Sequence, residues 1–255
     1  MNKLLIIDGL NLTRRIYAAS PDEGDIEQLK IRITSACNKL VRFHHPSHLI
    51  IVWDGNNETW RKTLYPDYKK GRKPMPESLA EGLASLKDHL KFQRFLSIDA
   101  DSEADDVIAT LAIKLANRNG KAIIVSTDKG FTQLNNPSIS QWDYFEQKFF
   151  DVEALENKLN IERTQLLDFF ALAGDNGNKI PGIAGIGPKS ASELLKAFST
   201  LANIYASLDN LGEKQAKKLA EGKEMARISY KLAKLKTDIA LNIKLSNFRV
   251  TTQNS

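Results

Sequence analysis

The sequence contains a single cysteine, Cys37, among 255 residues. One cysteine cannot form a disulfide within the chain, and it excludes a zinc site built from several thiolates. This usage is typical of a reducing cytoplasm, where we expect the protein to act. Long hydrophobic runs are also missing. None approaches the roughly 20 apolar residues that span a membrane, and the four at positions 4–7 are too few for a signal-peptide core. We therefore expect no membrane partner.

Charge of one sign is nearly balanced by the other. The chain has 36 Lys and Arg, 31 Asp and Glu, and a net charge of +5. This balance excludes a strongly acidic protein and permits a nucleic-acid partner without requiring one. Hydrophobic residues make up 42% and charged residues 26%, which excludes a disordered chain. A chain of this length buries about 70–75% of its unfolded surface, so it needs no disulfide or metal for stability.

Three short apolar runs each end in an aspartate. They occupy positions 4–7, 49–53 and 122–127, and they end at or before Asp8, Asp54 and Asp128. Such runs are typical of strands buried on both faces of a parallel sheet. The chain between and around them has helical periodicity, at positions 25–43, 77–90 and 103–117. Alternating strands and helices predict an α/β domain.

The pattern changes near residue 151. Beyond it the sequence predicts helices, at positions 152–159, 163–172, 190–198, 201–208, 212–222 and 223–236. We therefore expect an α/β domain over residues 1–150, including a basic segment at about 56–90. A helical subdomain is expected over residues 151–255.

The aspartates at the strand ends are candidates for one shared site. The carboxyl ends of parallel strands meet at one edge of a sheet, which would bring Asp8, Asp54 and Asp128 together. Aspartate also ends strands simply because it favours turns. Three converging carboxylates would repel one another unless a positive charge lay among them.

A second acidic segment precedes the predicted helix at 103–117. Five of the eight residues from Asp99 to Asp106 are acidic. Acidic residues favour a helix start, and Ser102 with Asp105 would make a capping pair. Capping needs only one or two of them, so the excess favours a metal site. Oxygen ligands without cysteine favour Mg²⁺ or Mn²⁺. The four histidines are expected in surface loops: His44, His45, His48 and His89.

Basic residues are concentrated in two places. Positions 60–75 contain six basic residues and one acidic residue, with Trp60, Tyr65 and Tyr68 among them. Cations bind phosphates and aromatic rings stack on bases, although a solvated helix over packed aromatics has the same composition. Positions 185–236 contain ten basic and five acidic residues. Within the glycine-rich segment 182–190, the pattern fits a helix-hairpin-helix that grips the DNA backbone.

Taken together, these motifs resemble the bacterial 5′-nuclease family, which includes the 5′→3′ exonuclease domains of DNA polymerase I and the flap endonucleases. The likeness is greatest to the short, stand-alone exonuclease IX type. Six motifs occur in the family's order: Asp8-Gly-x-Asn11, Val52-Trp-Asp54-Gly, Tyr65-Pro-x-Tyr68-Lys69-x-x-Arg72-x-Pro-Met-Pro76, Glu103-Ala-Asp105-Asp106, Ser126-Thr-Asp128-Lys-Gly and Ile180-Pro-Gly-Ile-Ala-Gly-Ile-Gly-Pro-Lys-Ser190.

The resemblance implies a PIN-like parallel-sheet nuclease domain with a basic arch and a helical helix-hairpin-helix (helix-three-turn-helix) subdomain. It implies Mg²⁺, replaceable by Mn²⁺, held chiefly by Asp105 within one carboxylate cluster: Asp8, Asp54, Glu103, Asp105, Asp106 and Asp128. It implies catalytic arch cations at Lys69 and Arg72. A K⁺ ion would lie on the backbone carbonyls of Leu172, Ala173, Pro181, Ile183 and Ile186. DNA contacts would come from Tyr68, Lys69, Arg72, Gly185, Ile186, Gly187, Pro188, Lys189 and Ser190.

The chain departs from the family pattern at the second metal site. Asp128 is followed by Lys129 and Gly130 instead of a second aspartate, and Asn178 and Lys179 replace an Asp-Asn pair. Asp175 is the main carboxylate that remains there. Fewer carboxylates weaken binding of a hard dication.

The expected activity is hydrolysis of 5′ flaps produced by strand displacement during replication. The expected partner is DNA with a 5′ flap or a branched junction, and the expected state is a monomer. Two alternatives stay open: a protein that binds DNA structures with little or no nuclease activity, and a PIN-type ribonuclease.

Overall fold

The computed structural model describes residues 1–19 and 25–250, which form two compact units. Unit 1 comprises Met1–Asn57, Lys73–Phe150 and Lys236–Ser255. Unit 2 comprises Glu58–Arg72 and Asp151–Leu235. In the described part of the chain, no helix is long and apolar enough to cross a membrane.

Unit 1 is built on a six-stranded sheet, and its α/β class confirms the prediction. The strands are β1 (Lys3–Asp8), β2 (His48–Trp53), β3 (Ser97–Asp99), β4 (Lys121–Val125), β5 (Ile139–Asp143) and β6 (Lys148–Phe149). Their order is β3-β2-β1-β4-β5-β6, and only β6 runs antiparallel to its neighbour. The register places Ile7 beside Ile51 on one side and beside Val125 on the other. The strands before Asp54 and Asp128 are therefore the two neighbours of the strand that ends at Asp8.

Helices of unit 1 cover both faces of the sheet. They are α1 (Gly9–Ala18), α2 (Ile26–His44), α4 (Glu77–Phe92) and α5 (Ala104–Ala116). Because side chains alternate along a strand, Leu5 and Ile7 face a core shared with α1, α2 and α4. Helix α5 packs against β1, β2 and β4. Buried apolar runs of this kind are what a parallel sheet with two covered faces requires.

Unit 2 is helical. It contains α3 (Trp60–Leu64), α6 (Val152–Leu159), α7 (Leu166–Ala173), α8 (Pro188–Phe198), α9 (Leu201–Ala206), α10 (Glu213–Glu221) and α11 (Lys223–Ala233). Helix α7 packs against α8 and α11. The apolar hairpin residues Ile183 and Ile186 are buried with Leu172, Leu194 and Leu219. The glycine-rich segment thus joins α7 to α8, as the helix-hairpin-helix prediction requires.

The structure groups two segments differently from the expected division at residue 150. The basic segment Glu58–Arg72 belongs to unit 2, and Lys236–Ser255 belongs to unit 1. Within unit 2 the Arg61 guanidinium is buried and donates to the carbonyls of Leu232 (2.9 Å) and Lys234 (3.0 Å). These bonds attach α3 to the end of α11. The sequence shows that this segment is basic, but it does not show that Arg61 forms hydrogen bonds with residues far away in the chain.

The expected helices largely match those observed, whereas several short elements were missed. Helix α1, the five-residue α3 and strands β3, β5 and β6 had no prediction. Strand β5 has two consecutive polar residues, Ser140 and Gln141, before Trp142, so it lacks a continuous apolar run. The expectation of loop histidines was also wrong in part: His44 ends α2, His48 begins β2, and both are buried.

Candidate active site

Asp8 lies at the carboxyl end of the central strand β1 and begins α1. Its Oδ1 accepts the backbone N–H of Asn11 at 3.1 Å, which caps the helix. Its Oδ2 accepts the hydroxyl of Ser126, from the end of β4, at 2.9 Å. The carboxylate is 6% exposed. Two donors therefore hold a buried carboxylate in one orientation.

Asp128 follows β4 and is tied to the same group of residues. Its backbone N–H donates to Ser126 Oγ at 3.1 Å, and its Oδ1 accepts the N–H of Gly130 at 2.7 Å. Asn11 exchanges hydrogen bonds with Thr127, both at 3.1 Å. These side-chain contacts connect the segments that follow β1 and β4. The backbone pairing of the two strands does not extend to those segments.

Asp54 connects the end of β2 to the start of α5. Its Oδ1 accepts the N–H of Ala104 at 2.8 Å. Gly55 makes the approach possible, because a Cβ there would come within 2.1 Å of the Ala100 carbonyl oxygen. The predicted Ser102–Asp105 capping pair is therefore wrong. The N-cap residue is Glu103, without a side-chain cap bond, and Asp54 satisfies the first helical N–H instead.

The acidic residues of α5 differ in burial and contacts. Glu103 and Asp106 are buried, whereas Asp105 is partly exposed. Asp106 Oδ1 accepts the backbone N–H of Lys236 at 2.9 Å. One oxygen of Asp106 thus anchors the last segment of unit 1, and its role is at least partly structural.

The three strand-end carboxylates interact electrostatically. The pKa of Asp8 is raised to about 7, chiefly by burial and also by the negative charges of Asp54 and Asp128, while the hydrogen bonds from Asn11 and Ser126 act in the opposite direction. Carboxylates gathered in this way fit a hard divalent cation held by oxygens. In the described ranges, however, no three Asp, Glu, His or Cys side chains already form a metal-binding group. Coordination would require the side chains to turn toward the ion.

The basic segment of unit 2 is organised around Asn178. Arg72 Nη2 donates to Asn178 Oδ1 at 3.0 Å, and the Lys69 N–H donates to the Asn178 carbonyl at 3.0 Å. Asp175 in turn accepts the N–H groups of Gly177 and Asn178, at 3.3 and 3.1 Å. Asp175, the remaining carboxylate of the expected second metal site, thus stabilises the turn in which it lies.

Tyr68 is not placed for base stacking in this structure. Its side chain is 4% exposed and packs with Ile180 and Leu232. The Lys69 ammonium lies 5.1 Å from the centre of its ring. Tyr68 therefore packs in the interior below the basic segment. This is the alternative in which the aromatic residues of the segment are packed and do not stack on bases.

The glycine-rich hairpin brings two stretches of backbone close together. Gly182 has φ +65°, and a Cβ there would meet Gly174 N at 2.4 Å and Leu172 O at 2.8 Å. The carbonyls of Leu172 and Ile183 accept the N–H groups of Ile183 (2.8 Å) and Ile186 (3.0 Å). The carbonyl-bearing residues expected at the K⁺ site are all in or beside this hairpin: Leu172, Ala173, Pro181, Ile183 and Ile186.

The hairpin ends at the start of α8. Gly187 is the N-cap and Pro188 the first helical residue. Gly185, Gly187, Pro188 and Lys189 are exposed, whereas Ile186 is buried. Ile186 can therefore offer only its backbone to a ligand. Lys218 donates to the Gly185 carbonyl at 3.1 Å, which adds a cation beside the loop.

Sequence reasoning missed several residues that position the carboxylates. Asn11 belongs to the same motif as Asp8, and Ser126 to the same motif as Asp128. Their positions in these motifs are the signal by which the sequence could have identified them. Gln141 donates to the carbonyls of Ser126 and Asp128, both at 2.8 Å. No sequence pattern marked it. The sequence marks Asn178 only as the replacement of a carboxylate.

Comparisons with known proteins agree with this arrangement. Residues 3–160 match the 5′-3′ exonuclease N-terminal resolvase-like domain, and residues 161–255 match the 5′-3′ exonuclease C-terminal SAM fold. The chain is 68% identical to Flap endonuclease Xni of Shewanella putrefaciens over 99% of this chain and 96% of that protein.

Two solved structures share the fold. The T5 5′-exonuclease with bound zinc ions has a TM-score of 0.77 and 21% identity, covering 91% of this chain and 89% of that one. The catalytic core of Rad2 in complex with DNA substrate has a TM-score of 0.59 and 19% identity, covering 93% and 81%.

Proposed function

This chain belongs to the 5′-3′ exonuclease family, and on that premise we propose that it is a metal-dependent flap endonuclease. Its reaction is hydrolysis of phosphodiester bonds that removes 5′ flaps produced by strand displacement during DNA replication. The observation that carries the proposal is the convergence of Asp8, Asp54 and Asp128 at the ends of three adjacent strands, where burial and the charges of Asp54 and Asp128 together raise the pKa of Asp8. A relative at 68% identity carries the name flap endonuclease.

The residues that would hold the metal lie in unit 1. The partly exposed Asp105 is the main ligand in this proposal, and the other carboxylates act directly or through water: Asp8, Asp54, Glu103, Asp106 and Asp128. When bound, Mg²⁺ or Mn²⁺ supplies charge stabilisation to the scissile phosphate and lowers the pKa of a water molecule. Asp8 keeps its orientation through Ser126 and Asn11. Asp106 contributes less, because one oxygen accepts the Lys236 N–H.

Binding of DNA is assigned to unit 2. Lys69 and Arg72 would offset phosphate charge in the transition state. The hairpin offers its backbone and Lys189 to the duplex backbone, which such contacts grip without reading the bases. The hairpin carbonyls would hold the proposed K⁺ ion, which would supply positive charge for a DNA phosphate. The pairing of Arg72 with Asn178 supports this assignment, since it fixes one cation relative to the hairpin unit.

Further properties belong to the same proposal. A monomer in the cytoplasm is consistent with the single cysteine, whose thiol is buried and has its pKa raised to about 12 by that burial. Such a thiol is a poor site for an intermolecular disulfide. The substrate is DNA with a 5′ flap or a branched junction.

The test compares cleavage of two labelled substrates, a 5′-flap DNA and a single-stranded RNA, each with Mg²⁺ or with EDTA. We expect Mg²⁺-dependent release of the flap and no cleavage of the RNA. Asp105→Ala should abolish flap cleavage and keep DNA binding in a gel-shift assay. Asp101→Ala is the matched control, since Asp101 is an exposed acid of the same segment that hydrogen-bonds Asn57 (2.7 Å). Retained cleavage in Asp105→Ala would contradict the proposal.

A second candidate is a DNA-structure binding protein with little or no nuclease activity. It is favoured by the thinned second metal site, where Asp175 is engaged in its own turn and Asn178 pairs with Arg72. A gel shift without cleavage at any Mg²⁺ concentration would support it. Cleavage of the RNA alone would instead indicate a PIN-type ribonuclease.

A further inference from the structure

A cavity of about 250 Å³ lies in unit 1 at the amino ends of the strands. Its apolar lining includes Leu49 at the start of β2, Phe95 just before β3, and Phe248. The carboxylates follow the opposite ends of the same parallel strands. Strand β2 has six residues, so at about 3.3 Å per residue the two edges are roughly 20 Å apart. The cavity is therefore separate from the carboxylate cluster.

Three arginines are among the residues that line this cavity, and none of those residues is acidic. Arg42 lies in the last turn of α2, Arg94 follows α4, and Arg249 lies in the last described segment. All three are exposed. Within residues 1–19 and 25–250 their guanidinium groups form neither a hydrogen bond nor an ion pair. Like charges left together without a partner favour an anion among them.

The backbone holds these arginines in place. Arg249 pairs with His48 in an antiparallel bridge, and the Val250 N–H donates to the Ser47 carbonyl at 3.0 Å. Arg94 has φ +66°, directly after the end of α4, a position that glycine usually occupies. A left-handed conformation costs a residue with a Cβ about 1–2 kcal/mol. The backbone of Arg94 thus adopts an unfavourable conformation, and this conformation places a cation at the cavity.

We propose that the cavity is a docking site for an acidic peptide segment of a partner protein, with an apolar side chain in the cavity and carboxylates on Arg42, Arg94 and Arg249. The charge complementarity of the three arginines selects an anion. The apolar lining favours a peptide over a nucleic-acid backbone, because the sugar-phosphate backbone carries no apolar side chain to fill it. A neighbouring open groove of about 550 Å³ shares Asn38, Arg42 and Gln93 with the cavity. It extends the surface along α2 for the rest of the segment.

The probe is a fluorescein-labelled peptide of four aspartates followed by leucine and phenylalanine, measured by anisotropy with the full chain. We expect binding at 50 mM NaCl that weakens at 300 mM NaCl, since screening weakens exposed charge pairs. Arg42→Glu/Arg249→Glu should reduce the affinity at least tenfold. Arg118→Glu, at another exposed arginine of unit 1, should leave it unchanged. A peptide with serines in place of leucine and phenylalanine should bind at least tenfold more weakly.

Flap cleavage by Arg42→Glu/Arg249→Glu should equal that of the wild type, which separates this proposal from the proposed nuclease function. Arg42→Ala/Arg249→Ala serves as a second variant, with an unchanged circular dichroism spectrum as its folding check. The proposal is overturned if the acidic peptide does not bind, or if it binds the folded double variants as well as the wild type. It is also overturned if the double variants lose affinity only for a labelled single-stranded DNA, or if they only dissociate a dimer of this chain.

Discussion

Ser126 Oγ donates a hydrogen bond to Asp8 Oδ2 at 2.9 Å and accepts one from the Asp128 N–H at 3.1 Å. A single hydroxyl therefore connects two candidate metal ligands that are 120 positions apart in the chain. Ser126 is buried, at 3% exposure. It acts as a positioning residue, because it holds the carboxylates without itself being a proposed ligand.

We expect Ser126→Ala to lower the rate of flap cleavage by about 10- to 100-fold. A hydrogen bond to a charged group contributes about 1.5–3 kcal/mol, and its loss lets Asp8 change orientation. Single-turnover kinetics and a DNA gel shift would separate the rate from binding, which should be unchanged. Ser126→Thr keeps the hydroxyl and should retain most of the rate. Ser138→Ala, outside this hydrogen-bond group, is the control. A rate for Ser126→Ala equal to that of the wild type would exclude the positioning role.

Arg72 and Asn178 form a pair that a double-mutant cycle can measure. Arg72 is exposed, and such contacts contribute about 1 kcal/mol or less. We therefore expect Asn178→Ala to lower kcat/KM for a flap substrate by at most about fivefold. In the Arg72→Ala background the same change should have no effect, because the partner is gone. Additive effects in the double variant would mean that Asn178 acts through another contact.

Gly182 is a position where a side chain cannot be accommodated. Its φ of +65° and the distance of 2.4 Å from an added Cβ to Gly174 N both oppose substitution. Gly182→Ala should lower the free energy of unfolding by about 2 kcal/mol or more, measured from the urea midpoint. Gly187→Ala is the matched control, because an added Cβ there meets nothing within 4 Å and φ is −90°. Equal midpoints for the two variants would contradict the close backbone approach at the hairpin.

His44 makes stability depend on pH. Its ring lies 4.5 Å from that of Trp142, and burial together with the positive charge of Lys3 lowers the pKa of its imidazole to about 4. The unfolded chain binds a proton near pH 6.5 and the folded chain does not, so stability should fall as the pH drops from 6.5 toward 4. Its contribution is on the order of 2 kcal/mol.

The measurement is urea unfolding at several pH values in the wild type and in His44→Phe, which keeps an aromatic ring without the titrating group. The difference between the two proteins should change over that range and stay constant above it. His45→Asn, at the neighbouring exposed imidazole, should follow the wild type. A constant difference between wild type and His44→Phe across the range would rule out this role for His44.

The sequence alone determined the fold class and the main candidate residues. Continuous apolar runs ending at Asp8, Asp54 and Asp128 predicted adjacent parallel strands, because burial on both faces requires such runs and parallel pairing brings their carboxyl ends together. The acidic start of α5 and the glycine-rich hairpin could also be predicted, because each has an unusual composition over a few consecutive residues. Helix α1 and strand β5, whose centre is polar, lacked such a signal.

Only the tertiary structure decided which side chains support the site. The bonds from Ser126 to Asp8, from Ala104 to Asp54 and from Lys236 to Asp106 join residues 118, 50 and 130 positions apart. It also decided that Tyr68 and Arg61 are buried although their segment is strongly basic. Spacing along the chain records local periodicity, whereas hydrogen-bond pairing and burial depend on which distant segments the fold brings into contact.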